Sequence, residues 1–131
     1  MKKKILITRK LLKENEDKLK ELFDINLNKN DEIYSADKII ELSEDCDGIL
    51  CAVTDQFNKE LIRRLSPSIK IIANFAVGYG NIDINAAKER NIVVTNTPEV
   101  LDDSTADVSI LLLLGASRKV LEARRAAELQ N

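Results

Sequence analysis

Short apolar runs alternate with longer amphipathic segments through the first 98 residues of the chain. The short runs are rich in Ile, Leu and Val, which favours β-strands, and they predict five strands at residues 4–8, 25–27, 48–53, 69–75 and 92–95. Between them, apolar residues recur at helical spacing, which predicts helices at residues 11–23, 36–42, 59–65 and 84–90. From residue 99 onward the pattern is helical throughout.

This regular alternation of strands and helices predicts an α/β fold. Parallel neighbours need a crossover connection, and helical crossovers cover both faces of a sheet. We therefore expect a flavodoxin-like, five-stranded parallel sheet in the order 2-1-3-4-5, with helices on both faces and a long C-terminal helix. The pattern divides the chain into a domain at residues 1–98 and a helical segment at residues 99–131. In such folds, ligands bind beyond the carboxyl ends of the strands.

The C-terminal segment predicts one long helix. Asp102 and Asp103 suit its N-terminus, and no clear breaker follows, so we expect a single helix of about 25 to 30 residues, against a usual length of about 12. Its apolar residues, Val108 and those at 110–114, face more than one side, which indicates burial on several sides. We predict a homodimer that pairs through residues 108–121, with a helix folded back on a monomeric domain as the alternative.

A turn with two glycines, Gly78-Tyr79-Gly80-Asn81-Ile82-Asp83, joins the fourth strand to the next helix. Glycines permit positive φ and close approach of a ligand to the main chain, and a helix N-terminus carries a partial positive charge. The turn therefore predicts a carboxylate or phosphate site, with an ordinary strand-to-helix connection as the alternative. It is not a dinucleotide fingerprint, because Asp83 replaces the third glycine of G-x-G-x-x-G. Asp83 is interpreted as the helix N-cap.

Charge and hydropathy narrow the possible partners. Twenty Lys and Arg residues against 22 Asp and Glu residues give a net charge of -2, without a basic patch, which argues against nucleic acid. The longest apolar run, at 110–114, is far below the roughly 20 residues that cross a bilayer. The run at 5–7, after the first lysines, is too short for a signal peptide. We expect a soluble, cytoplasmic protein without a membrane partner.

The chain contains two cysteines, Cys46 and Cys51, and no histidine. This content supports neither a metal site nor a disulfide framework. We interpret the cysteines as free thiols near a buried strand in a reducing compartment.

Two other chemistries found on flavodoxin-like folds are not supported. An FMN phosphate loop would follow the first strand, where Thr8-Arg9-Lys10 contains no glycine. A phospho-acceptor receiver domain needs an acidic pair after strand one, an Asp after strand three and a Lys after strand five. Only Asp55 is a partial candidate, and it is more simply a turn or cap residue.

The segment at 76–118, AVGYGNIDINAAKERNIVVTNTPEVLDDSTADVSILLLLGASR, resembles the D-isomer-specific 2-hydroxyacid dehydrogenases, and within them the glyoxylate/hydroxypyruvate reductase branch. It has the family's A-x-G-x-G turn, A-A-x-x-[RK]-x-I helix, V-x-N-x-P and [ST]-A-[DE] at matching spacing, and the resemblance extends over essentially all 131 residues. The resemblance implies a substrate-side domain in which Val77, Gly78 and Tyr79 hold the carboxylate of a small 2-keto or 2-hydroxy acid. It also implies that Leu101 and Thr105 reach an NAD or NADP cofactor.

Leu101 and Thr105 also have a simpler interpretation, in which Leu101 is a core residue and Thr105 or Asp103 caps the first turn of the helix.

The chain also departs from this family. Relatives continue into a Rossmann domain with G-x-G-x-x-G and the catalytic Arg, Glu and His, and this chain contains no His, so no catalytic residue is assigned. We expect the N-terminal substrate-binding portion of an NAD(P)-dependent 2-hydroxyacid reductase, truncated and inactive alone. The alternative is a stand-alone flavodoxin-like binding or association domain that dimerises through the C-terminal helix.

Overall fold

The computed structural model describes residues 2–129 and divides the chain into two compact units after Pro98. The first unit contains a five-stranded, fully parallel sheet in the order 2-1-3-4-5, which confirms the predicted α/β fold. Its strands are β1 (Lys4–Ile7), β2 (Asp24–Leu27), β3 (Gly48–Ala52), β4 (Ile71–Phe75) and β5 (Val93–Thr95).

Four helices connect these strands: α1 (Lys13–Leu22), α2 (Ala36–Leu42), α3 (Lys59–Arg64) and α4 (Ile84–Glu89). Three of them begin with a capping side chain that accepts a hydrogen bond from the first turn, namely Ser35, Asn58 and Asp83. Because these caps satisfy main-chain N–H groups that the helix itself leaves free, they explain where the helices start. The N-cap role predicted for Asp83 is confirmed.

The core lies between the central strands and the helices. Leu6 of β1, Ile49 of β3 and Ile72 of β4 stand in register across three neighbouring strands, and all three are buried. Burial of each such side chain contributes about 1.5–3 kcal/mol. This layer fixes the register of the strands and so fixes which residues meet at their carboxyl ends.

The second unit differs from the single helix that the pattern predicts. It contains two helices, α5 (Asp102–Ser117) and α6 (Val120–Glu128), separated at Lys119, which has a left-handed φ of 50°. Gly115 is a weak helix former, and the Ser117 hydroxyl donates to the carbonyl of Leu114, in competition with the helix. The prediction of one uninterrupted helix was therefore wrong.

The apolar side chains of α5 are exposed within the single chain. Val108 and the five residues at 110–114 are each 53–69% exposed, so the described residues of the second unit do not supply the burial on several sides that their pattern indicates. None of the helices among the described residues is long and apolar enough to cross a membrane.

Candidate functional site

The glycine turn lies at the carboxyl end of β4, where the fold predicts a ligand site. Val77, Gly78 and Tyr79 follow one another there, with Val77 half-buried and the other two exposed. The three residues expected to bind a carboxylate thus share one short surface segment.

The carbonyl groups of this segment all accept hydrogen bonds from the protein. Their donors and distances are Thr97 N to Ala76 O (2.9 Å), Asn96 Nδ2 to Val77 O (2.7 Å), Asn74 Nδ2 to Gly78 O (2.9 Å) and Ile82 N to Tyr79 O (3.0 Å). Four consecutive peptide units are therefore held from their carbonyl side.

Holding the carbonyls sets the direction of the amides. In a planar trans peptide unit, the C=O of one residue and the N–H of the next point in opposite directions. The N–H groups of residues 77–80 therefore face away from the groups that hold the carbonyls. Among the described residues, none accepts a hydrogen bond from these four amides. The turn therefore has a row of unpaired N–H donors, and carboxylate oxygens accept such donors.

Two features that the sequence predicts for the turn are not found there. Neither Gly78 nor Gly80 has a positive φ, so the turn does not use the left-handed freedom of glycine. Helix α4 does not supply a free N-terminus either, because the Asp83 carboxylate accepts the amide of Ala86 at 2.9 Å. The feature that suits the turn to an anion is instead its set of anchored peptide units.

A buried polar network lies beneath the turn. Asn81 Nδ2 donates to the carbonyls of Asp55 (2.9 Å) and Ala52 (3.2 Å), while its Oδ1 accepts from Asn74 Nδ2 at 3.0 Å. Asp55 Oδ2 accepts from the Thr8 hydroxyl (2.6 Å) and from the amide of Ala52 (2.9 Å). The ends of β1, β3 and β4 are thus joined to the turn, and Asp55 has the turn role predicted for it.

Both cysteines are free and buried, in agreement with the sequence analysis. The Cys51 thiol lies in the network under the turn, 3.5 Å from Asn74 Oδ1. Burial, with a smaller effect of the nearby Asp55 carboxylate, raises the pKa of Cys51 to about 12. Burial likewise raises the pKa of Cys46 to about 11. Both groups are neutral thiols at pH 7, which makes them poor nucleophiles.

A charged cluster occupies the same end of the sheet, after β1. Arg9 donates through Nε and Nη2 to the two carboxylate oxygens of Asp31, at 2.8 and 3.0 Å, and through Nη1 to the Thr54 hydroxyl at 2.8 Å. The Arg9 guanidinium and the amide of Lys10 lower the pKa of Asp31 to about 2. Because Asp31 neutralises Arg9, this arginine is not a free cation for a ligand.

The ring of Tyr79 borders a cleft of about 600 Å³ between α4 and β5. Ile84, Lys88 and Asn96 also line this cleft, and Tyr79 itself is 55% exposed. Lys88 is thus a cation near the turn, on its side next to β5.

Leu101 and Thr105 lie in the second unit, four residues apart at the start of α5. Leu101 is 54% exposed, and α5 has no side-chain cap, so neither the core nor the capping interpretation holds. The pair offers one apolar side chain and one hydroxyl on neighbouring helical turns. These residues do not provide a site for the phosphates of a dinucleotide. Among the described residues, α4 is the only helix that starts after a glycine turn, and the Asp83 carboxylate already caps its N-terminus.

Comparison with known proteins settles the family. The family model described as "D-isomer specific 2-hydroxyacid dehydrogenase, catalytic domain" matches residues 5–131. The chain belongs to this family. Within it, the residues at hand correspond to the N-terminal portion, which includes the glycine turn and the polar network beneath it.

Relatives of this family member include glyoxylate reductases. The chain is 40% identical to the glyoxylate reductase of Korarchaeum cryptofilum over 95% of its length and 41% identical to that of Thermococcus litoralis over 94%. It spans 37% of the length of each. The structure of an NADPH-dependent glyoxylate/hydroxypyruvate reductase from Sinorhizobium meliloti, in complex with NADP and malonate, is similar with a TM-score of 0.69 and 33% identity, covering 88% of this chain and 34% of that one.

The asparagines that hold the turn were not predicted from the sequence. Asn74, Asn81 and Asn96 contact the turn or its support, and the first two are buried. The available signal was the polar Asn74 inside the apolar run at 69–75, since a buried polar side chain is more informative than a buried apolar one.

Proposed function

We propose that this chain is the substrate-side portion of an NAD(P)-dependent 2-hydroxyacid reductase. Its turn at Val77, Gly78 and Tyr79 binds the carboxylate of a small 2-keto or 2-hydroxy acid, with glyoxylate and hydroxypyruvate as the leading substrates. The observation that carries this proposal is the row of N–H groups at residues 77–80 for which no described residue is an acceptor, while the carbonyls of the same peptide units are held. The glyoxylate reductase relatives support the choice of acid.

Main-chain donors suit this task because they add no side-chain charge and need no reorganisation when the ligand arrives. A carboxylate accepts several N–H donors through its two oxygens, and hydrogen bonds to a charged acceptor are roughly twice as strong as neutral ones. The turn forms one open wall, so we expect weak binding by this chain alone, of about millimolar affinity.

The reacting groups are proposed to lie outside these residues. Reduction of a 2-keto acid needs a donor for the hydroxyl proton, commonly His in enzymes, and the 131 residues contain none. We propose that the chain alone binds the acid without reducing it. Leu101 and Thr105 are proposed to contact the NAD or NADP cofactor, whose phosphates would be held elsewhere.

We further propose a homodimer that pairs through residues 108–121, where α5 exposes contiguous apolar side chains. Two buried free thiols favour a reducing, cytoplasmic setting. The second candidate function is a stand-alone association domain, which the same exposed face of α5 favours.

A titration with sodium glyoxylate, followed by the amide resonances of the 131-residue chain, tests the carboxylate site. We expect saturable shifts centred on residues 77–80, and no comparable shifts with glycolaldehyde, a neutral analogue with an aldehyde but no carboxylate. Equal shifts with both compounds, or shifts centred on Lys88 and the β5 cleft, would contradict the proposal.

A further inference from the structure

The two asparagines that contact the turn act on different peptide units. Asn96 Nδ2 donates to Val77 O, and that carbonyl belongs to the same peptide unit as the amide of Gly78. Asn74 Nδ2 donates to Gly78 O, which shares its peptide unit with the amide of Tyr79. Each asparagine therefore sets the orientation of one unpaired N–H group, one residue further along the chain.

The two asparagines differ in burial and in the number of hydrogen bonds that hold their side chains. Asn74 is 2% exposed and makes full use of its amide, because Nδ2 donates to both Gly78 O and Asn81 Oδ1 while Oδ1 accepts from Asn81 Nδ2 and the Cys51 thiol. Asn96 is half-buried and follows β5, and its one hydrogen bond to the turn is short, at 2.7 Å. Asn96 thus offers the cleaner test, since its loss leaves the buried network in place.

These contacts also affect the strength of the donors. A peptide carbonyl that accepts a hydrogen bond is polarised, and polarisation passes through the peptide unit to its N–H. A free glycine-containing turn samples many orientations, and ordering it during binding would reduce affinity. Anchored carbonyls avoid that cost because the amides are already oriented.

We propose that Asn74 and Asn96 are positioning residues that orient the carboxylate-binding amides of Tyr79 and Gly78, respectively. This inference rests on the proposed function for its ligand. In this proposal the two side chains do not bind the acid themselves. They orient the main-chain N–H groups that do.

The first test needs no ligand. Backbone order parameters from ¹⁵N relaxation of the 131-residue chain should be near 0.85 at Gly78 and Tyr79, the value of a rigid backbone. In Asn96→Ala the value at Gly78 should fall most, towards 0.6 or below, and in Asn74→Ala the largest fall should move to Tyr79. The matched control is Asn85→Ala, an exposed asparagine on α4, which should leave both values unchanged.

A general loss of structure would not give this one-residue displacement of the effect. The proposal would be overturned if the amides of Gly78 and Tyr79 stayed as rigid in Asn96→Ala and Asn74→Ala as in the unaltered chain. A loss of order spread evenly over the first unit in both variants would overturn it as well.

The second test separates this inference from the proposed function. In the glyoxylate titration, Asn96→Ala should weaken binding about fivefold, equivalent to about 1 kcal/mol, while Asn85→Ala binds as the unaltered chain does. Binding that is unchanged in Asn96→Ala, with glyoxylate still on the turn, would refute the positioning role and leave the proposed function standing. If the turn amides of the unaltered chain are rigid but bind no glyoxylate, the proposed function is refuted, whereas the anchoring of the amides by the asparagines is not.

Discussion

Asn74 shows how a single residue carries more information than the pattern around it. The apolar run at 69–75 predicts the strand correctly, but a strand built for packing alone has no use for an amide at a position that is 2% exposed. Its partners, the carbonyl of Gly78 and the side chain of Asn81, lie four and seven residues away and meet it only because the chain folds back over the end of β4. Sequence spacing alone did not predict that contact.

Asp31 provides a prediction at the same scale. Its carboxylate should titrate at a pKa of about 2 because Arg9 binds both of its oxygens and Lys10 donates its amide. Arg9→Met should raise this pKa towards the usual value of about 4, as measured by carboxyl carbon chemical shifts across a pH series. The control is Arg118→Met, in the second unit. A pKa near 4 in the unaltered chain would contradict the ion pair.

The sign of the pH dependence follows from this lowered pKa. A carboxyl group that ionises more readily in the folded chain than in the unfolded chain stabilises the fold once the pH is above its unfolded pKa of about 4. That contribution is lost as the pH falls from about 4 towards 2. The loss should be smaller in Arg9→Met, because its Asp31 has less of a pKa difference to lose.

The elements of the first unit were predictable because their signals are local. Apolar runs mark the strands, and capping residues such as Asp83 mark the helix starts. The break between α5 and α6 was not predictable in this way, because Gly115 and Ser117 weaken a helix only slightly and Lys119 carries no turn signature of its own. A lysine in the left-handed region reflects how the surrounding helix ends.

The cap of α4 gives the element-scale prediction. Asp83→Ala should lower the free energy of unfolding by about 1 kcal/mol, because the amide of Ala86 loses its acceptor. Asp83→Asn keeps a side-chain oxygen at the cap and should lie within a few tenths of a kcal/mol of the unaltered chain. Urea denaturation measures both. Equal losses in the two variants would show that the cap is not the source of the effect.

At the scale of the whole molecule, the strand order was predictable since parallel crossovers leave few arrangements for five strands. The direction of the amides in the glycine turn was not predictable, because it depends on four hydrogen bonds to the carbonyl groups of the turn. Their donors lie in β4, just before the cap of α4 and in the segment after β5. The anion site at these residues stays a prediction, but two of the reasons given for it were wrong, because the turn has neither a glycine with positive φ nor a free helix end.

The proposed homodimer is tested by the mass of the molecule in solution. Light scattering at high micromolar concentration should give twice the chain mass of 14.7 kDa, because we propose that a second copy covers the apolar residues at 108–121. Leu112→Glu places a charge in the centre of that surface and should give the monomer. Asn85→Glu, on the first unit, should remain dimeric. A monomer mass for the unaltered chain would refute the pairing.

We propose above all that the main-chain amides of the glycine turn hold the carboxylate of a 2-keto acid. A crystal structure of the chain with glyoxylate bound measures this most directly. We expect a carboxylate oxygen within about 2.7–3.2 Å of the nitrogen atoms of Gly78 and Tyr79, with Asn96 and Asn74 still bonded to the carbonyls behind them. A carboxylate bound instead to Lys88 or to another side chain, with the turn amides left unpaired, would contradict it.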